Sequence, residues 1–445
     1  MKEMQFAVIG GGASGTLVAA NLLQRLPGGH VTLIERTAHV GRGVAYGTPL
    51  DCHLLNVRAG NMSADPDDRD GFVRWLQAND LAGPEAATQF ASRKAYGFYL
   101  AHVLETARAS SRARLTILND EALSLTRHNG LRLNLRDHGD LAIDRVVLAM
   151  GNLPPTLPRA LAASDSLDRI VINPWGKDGL RRIPRTARIL IVGTGLTMVD
   201  VVLSLRAQKH EGHIHARSRR GLVSATHAPV KPLQVEIEPG KDLIRRLVET
   251  IRSHGEDWRS AVDALRPKTV DLWQSMTWRE RNQFRSRLQV FWDVHRHRVP
   301  PEAAAQVEAL RAAGQFDVEK GGVRRVTSVG DHLLVDLDGG KQLEVDWIIN
   351  CTGPAGDLQG AKLPLIETAV AEGLIEYDPL GIGITVGNCG RAGSNDEIWA
   401  IGPLCRGCRL ETTAMPEIRV QARRIADEIC AGSITREQFA IGAGI

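Results

Sequence analysis

The chain contains no run of 18 apolar residues, so none of its segments is expected to cross a membrane as a helix. No secretory leader precedes the first periodic segment, which begins almost at Met1 and already reads as a buried strand. Aromatic residues make up only 4% of the chain. An excess of one charge is lacking too: 55 basic residues against 51 acidic leave +4, too near balance to make nucleic acid the default partner. Cysteine is sparse, at six in 445 residues, which excludes a secreted disulfide scaffold and implies reduced thiols in the cytoplasm. The 14 histidines include no HExxH pair, a single CxxC has no partner to complete a zinc site, and GxSxG is missing. Neither a metal nor an acyl-transfer nucleophile is therefore expected.

Glycine, by contrast, is abundant: 44 residues, about one in ten, against a typical ~7%. The glycines cluster beside apolar strands. Residues 5–9 (Gln-Phe-Ala-Val-Ile) run into Gly10-Gly11-Gly12-Ala13-Ser14-Gly15, then an Ala- and Leu-rich helix over Thr16–Leu26. A second strand, Val31–Ile34, ends in Glu35, with Arg36 next. Strand, glycine turn, helix, strand and acid at this spacing form the dinucleotide-binding pattern. Gly10 permits the turn, Gly12 lets a pyrophosphate approach the backbone, and Gly15 lets the helix pack closely. The helix N-terminus attracts phosphate, and Glu35 would accept from ribose hydroxyls.

The pattern recurs. Arg188–Val192 enters Gly193-Thr194-Gly195-Leu196-Thr197-Met198 and a helix over Val199–Leu205. Met198 replaces the third glycine, so helix and strand must pack less closely there. After the next strand, His213–Ala216, the acid is replaced by Arg217-Ser218-Arg219-Arg220. Arginines there suit a 2′-phosphate and favour NADPH over NADH. Two further strands end alike, Asp144–Gly151 and Asp346–Gly353, each after a stretch with hairpin turn residues. The same unit therefore occurs twice: dinucleotide turn, β-meander, closing strand. Two dinucleotides in one chain imply that one delivers electrons to the other.

This arrangement resembles the two-dinucleotide-domain flavoproteins, and more narrowly bacterial FAD/NAD(P)-binding oxidoreductases distantly similar to flavin-containing monooxygenases. The resemblance spans nearly the whole chain. It rests on Gly41–Tyr46, Leu54–Val57 with Met62-Ser63, Ser218–Leu222, Trp292–Arg298, Ile401-Gly402-Pro403 and Glu411–Arg419. It implies FAD at Gly10, Gly12, Ala13, Ser14, Gly15, Glu35, Arg36, Gly43, Met62, Gly151 and Gly402. NADPH would bind at Gly193, Thr194, Gly195, Leu196, Thr197, Arg217, Arg219 and Arg220. Asn56 falls where the monooxygenases carry an asparagine beside the flavin, where its amide could bind the oxygenated flavin or the nicotinamide; capping of a turn is the other reading. The motif that many N-hydroxylases carry before the second glycine turn is absent, with only Asn173-Pro174-Trp175 there.

The expected fold is α/β, with two Rossmann-like dinucleotide-binding domains, each with a β-meander. The boundaries read as 1–155 plus 351–445 for FAD and 156–350 for NAD(P)H, with a helical insertion at about 223–315 in the second. That insertion holds Trp258, Trp273, Trp278 and Trp292, with Arg279, Arg281, Arg285 and Arg287 nearby. Within it His295 and His297 would share a face only in a strand; an ion-paired segment is the plainer reading. The expected activity is NADPH-dependent reduction of FAD, with the reduced flavin oxygenating or reducing a small molecule. The alternatives are a dithiol or disulfide reductase using Cys405 and Cys408, and a flavin-binding sensor. A homodimer is the candidate assembly.

Overall fold

A computed structural model describes residues 3–176, 179–393 and 396–442, with side chains described as far as residue 431. Both ends of the expected first-domain boundaries, residues 1–2 and 443–445, lie outside the described residues. Sixteen strands build two five-stranded sheets and two three-stranded meanders. In chain order they are β1 (Gln5–Ile9), β2 (His30–Glu35), β3 (Arg114–Asn119), β4 (Ala122–Arg127), β5 (Leu131–Leu135), β6 (Gly139–Ile143), β7 (Arg145–Leu148) and β8 (Ile170–Val171). There follow β9 (Ile189–Val192), β10 (Ile214–Ser218), β11 (Phe316–Lys320), β12 (Val323–Val329), β13 (His332–Leu337), β14 (Gln342–Val345), β15 (Trp347–Asn350) and β16 (Ile398–Ala400).

The first large sheet has the order β16-β7-β1-β2-β3, the second β11-β10-β9-β15-β8, and every pairing in both is parallel. Aligned at their glycine turns, the two match strand for strand: β1 with β9, β2 with β10, β3 with β11 and β7 with β15. The outermost positions differ in origin. β16 reaches the first sheet from far down the chain, whereas β8 precedes the glycine strand of the second. The segment Ile398–Ala400 thus completes the first sheet, just before Ile401-Gly402-Pro403.

Parallel strands are buried on both faces, so they read as continuous apolar runs such as Phe6–Ile9 and Ile189–Ile191. One face of the first sheet packs on the helices Ala13–Arg25, Arg93–Ser110 and Met415–Gly442, with Leu17, Leu100 and Ile425 in one cluster. The other face packs on the β4–β6 meander and the helix Pro364–Ala371. The second sheet repeats this plan, with Val201 and Val202 on one face and the β12–β14 meander on the other.

The insertion is helical, with six helices between Leu243 and Ala312. One of them, Trp278–Arg287, opens on a reciprocal cap: Glu280 N donates to Thr277 Oγ1 at 3.3 Å and Thr277 N to Glu280 Oε2 at 2.8 Å. Trp273 lies in the insertion's own core, which also takes Leu380 and Leu410 from the last third of the chain. The insertion is therefore seated on segments to either side of β16. Gln289–Arg296 is one of its helices, so His295 and His297 do not form the strand face considered above.

Ile191 is fully buried in β9, the central strand of the second sheet. Ile191→Ala should lower stability by about 2–5 kcal/mol, read from urea unfolding of the purified protein.

Candidate functional site

The first glycine turn is shaped by what cannot fit in it. Gly10 adopts φ +101, and a Cβ on it would lie 2.4 Å from Ala149 O. A Cβ on Gly15 would lie 1.8 Å from Gly10 O, so only glycine lets the helix Ala13–Arg25 sit this close to β1. Gly12 is different: its nearest neighbour would be Gly43 Cα at 3.6 Å, which leaves space. It is the N-cap of that helix and supplies no side-chain cap, so the first N–H groups are left for an anion. Glu35 ends β2 with its carboxylate at the turn, Oε2 accepting from Gly11 N at 2.7 Å and Oε1 from Thr37 N at 2.9 Å. Half-buried Ala13 opens the helix, and a Cβ on Gly402 (φ +74) would stand 3.2 Å from the Oγ of buried Ser14. Gly43 and Gly151 also have positive φ, at +51 and +71. This cradle fits a dinucleotide. Two expected residues stand apart from it: Met62 is buried in the apolar core, and Arg36 is exposed, 3.9 Å from Glu121.

The second turn repeats the geometry. Gly193 has φ +110, donates its N–H to Arg217 O at 2.7 Å, and would place a Cβ 2.2 Å from Cys351 O. Gly195 has nothing within 4 Å of a built Cβ and begins the uncapped helix Leu196–Ala207. Leu196 and Thr197 are half-buried in its first turn, while Met198 fills the core where the first turn has its third glycine. Thr194 is buried, its hydroxyl 2.8 Å from Ser218 Oγ. The three arginines expected at the NADPH site part company. Arg217 turns inward, with 7% of its side chain exposed, and pairs with Glu319 on β11. Arg220 lies 5.2 Å over the Phe291 ring. Arg219 is exposed and, among the described residues, has no ion-pair partner.

The helix opened by the second turn is gripped by the first unit. Arg93 pairs with buried Asp200 at 2.7 Å, and His53 Nε2 lies 2.8 Å from Ser204 Oγ and 3.0 Å from Asp200 O. Burial pushes the His53 pKa down, which keeps the ring neutral in this contact.

A further cluster lies at the carboxyl edge of the first sheet, where ligands bind in open α/β folds. Arg406 NH2 donates to Asn152 Oδ1 at 3.0 Å, just beyond the ends of β16 and β7. Opposite is Asp293, on an insertion helix, its pKa raised to about 6 by desolvation although the Arg406 charge pulls it down. His297 is lowered to about 4, by desolvation first and the neighbouring arginines second. Both side chains nevertheless keep accessible surface, 43% and 33%, and stand 3.8 Å apart, Asp293 Oδ1 to His297 Nε2. Next to them, Ala225 N donates to Val294 O at 2.8 Å and His227 Nε2 lies 3.0 Å from Asn56 O. The Asn56 side-chain amide, among the described residues, has no hydrogen-bond partner, so it does not cap a turn. Sequence reasoning included Asp293 in the segment Trp292–Arg298 but gave it no role, because the burial that shifts it comes from residues distant in the chain.

Residues 7–153 match the model of a family described as FAD-NAD(P)-binding. The chain carries an FAD/NAD(P)-binding domain. The ornithine N-hydroxylase of Kutzneria sp. 744 is 16% identical, with a TM-score of 0.68 over 97% of this chain and 100% of that one. The cadaverine monooxygenase of Erwinia amylovora is 12% identical, with a TM-score of 0.69 over 96% of this chain and 95% of its own. The bacillithiol disulfide reductase of Staphylococcus aureus is 13% identical, with a TM-score of 0.58 over 97% and 99%. At these identities the likeness is one of fold: this chain has the architecture shared by all three. No curated protein matches its sequence. Among the described residues no helix is long and apolar enough to cross a membrane.

Cys405 and Cys408 are both buried free thiols. Burial raises Cys405 to about 12 and also raises Cys408, whose Sγ accepts from Val386 N at 3.4 Å. Thiols so held are poor nucleophiles.

Gly15→Ala should purify without bound flavin and lose about 1–3 kcal/mol on denaturant unfolding, because the new methyl meets backbone that cannot yield. For Asp293 the folded pKa lies above the unfolded one. Its contribution to stability is therefore complete below about pH 4 and lost as the pH rises through about 6. Asp293→Asn should accordingly stabilise the fold at pH 7–8 by about 1 kcal/mol after solvent screening, and have no such effect at pH 4. Equal effects at both pH values would contradict this.

Proposed function

We propose that this chain is an NADPH-dependent FAD oxidoreductase of the flavin-monooxygenase kind, acting on a small organic molecule. The observation that carries the reading is the presence of two glycine-lined, uncapped helix N-termini at the edges of two matching sheets. The helix opened by the second is locked to the first unit through Arg93–Asp200 and His53. The proposed division follows the two turns, with the first unit and the last third of the chain on FAD and the middle of the chain on NADPH.

FAD, when bound, supplies hydride acceptance and the chemistry with oxygen. The chain supplies placement. The backbone N–H groups after Gly12 and Gly195 hold phosphates, and Glu35 holds a ribose. Arg219 is the cation left for a 2′-phosphate, since Arg217 is already paired with Glu319. The lock at Asp200 fixes the second helix, and so the nucleotide on it, against the first unit. Asn56 offers an amide with both its donor and acceptor unused, and Asp293 a carboxyl able to hold or release a proton near pH 6. Two of the structural relatives hydroxylate or oxygenate small amines according to their descriptions, which supports the monooxygenase reading. A disulfide reductase shares the fold, but the raised pKa values of Cys405 and Cys408 speak against dithiol exchange here.

Anaerobic stopped-flow absorbance tests this directly. NADPH should bleach the bound flavin faster than NADH, and Arg219→Ala should weaken NADPH use about tenfold or more while leaving NADH unchanged. Failure of both nucleotides to bleach the flavin would overturn the proposal.

A further inference from the structure

One side-chain cluster of the second sheet has no part in holding either dinucleotide. His213 and His215 stand two residues apart at the start of β10, and Asp317 lies on β11 as the register partner of His215. The intervening residues Ile214, Ala216, Phe316 and Val318 belong to the apolar core on one side of the sheet. Strand alternation therefore sends both histidines and the aspartate to the opposite face. There Asp317 Oδ2 lies 2.6 Å from His213 Nε2 and 2.7 Å from His215 Nδ1. The two rings are 4.3 Å apart, and the three ligand atoms all fall within 4.8 Å of one another.

We propose that His213, His215 and Asp317 bind a divalent late transition-metal ion, zinc by the chemistry of the donors. Two imidazole nitrogens and one carboxylate oxygen suit zinc and its neighbours, whereas magnesium and calcium favour all-oxygen sites. Tetrahedral coordination at about 2.0–2.2 Å would set ligand atoms about 3.4 Å apart. The carboxylate has only to draw back by under about 1 Å to admit the ion in place of the bridging protons. The backbone is already fixed by strand pairing, so no loop has to fold to build the site. The three side chains keep 35%, 27% and 37% of their surface accessible, which gives the ion a route in and leaves a fourth position for water. The next pair along the same two strands, Arg217 with Glu319, is neutral overall and adds no repelling charge. β11 is the edge strand of the sheet, so the ion would pin it to β10, with His215 four residues before Arg219 in the turn that follows.

The flavin-loaded protein, treated with chelator and desalted, should be titrated with Zn²⁺ alone by calorimetry and with Co²⁺ by visible absorption. The expected result is one ion per chain. His213→Ala/His215→Ala and Asp317→Asn should each bind at least about tenfold more weakly, with flavin content and far-UV circular dichroism unchanged. Should the double variant not fold, His213→Gln at its part-exposed position takes its place. Absence of zinc binding by the unaltered protein, or equal binding by the variants, would show that the three side chains only hydrogen-bond one another. A cobalt spectrum dominated by thiolate charge transfer would place the ion on cysteines and also overturn the proposal.

Discussion

The contact between the helix Ala13–Arg25 and the end of β1 sets the geometry of the whole first unit. It exists because Gly10 and Gly15 both lack a Cβ where backbone oxygen already stands. With the helix held there, its N–H groups converge on the space beside Gly12. Gly41 N reaches back to Gly11 O at 2.8 Å and to Thr16 Oγ1 at 3.0 Å, which ties the following loop to the turn. β7 and β16 then have a fixed edge on which to add, and Gly402 comes to rest beside Ser14. The second unit tolerates Met198 at the third position because its closest approach is made by Gly193 alone, against Cys351 O.

Duplication of this arrangement has a chemical consequence that a single site would not. The electron transfer proposed above would require the two ligand-binding edges to be held at a fixed separation. The buried contact of Arg93 with Asp200, beside His53, ties the second helix to the first unit. A buried ion pair adds little net stability, but a one-sided loss of either partner would leave an uncompensated charge. Such a contact selects one orientation of the two units over neighbouring ones.

Where the chain announces itself locally, the structure was legible. β1 spans the five residues read as a strand, and both meanders and the helical insertion lie where turn residues and composition put them. The site was legible at its turns for the same reason: glycine positions are dictated by backbone geometry within a few residues. The rest depends on partners distant in the chain. Arg217 looks like a phosphate ligand until Glu319, 102 residues on, takes it. The strand-face argument for paired histidines was sound but was applied at 295 and 297, in a helix, when the strand lies at 213 and 215. Asp317 has no signal until β11 is seen to pair with β10.

The insertion shows how charge can do what apolar burial cannot. Arg266 makes two hydrogen bonds to Glu417 at 2.7 and 2.9 Å, Arg296 meets Glu411 at 3.2 Å, and Arg298 meets Asp263 at 3.0 Å. The first two pairs join the insertion to the segment that follows β16. Glu411 is thereby buried with a cationic partner. Fork-shaped arginine contacts fix angle as well as distance, whereas an apolar surface would let the insertion slide. The helix bearing Arg296 is also the helix bearing Asp293, so the same contact that seats it sets that carboxyl opposite Arg406. Desolvation alone would push Asp293 further up. Arg406 opposes it, and the balance leaves the Asp293 pKa at about 6, beside the carboxyl edge of the first sheet.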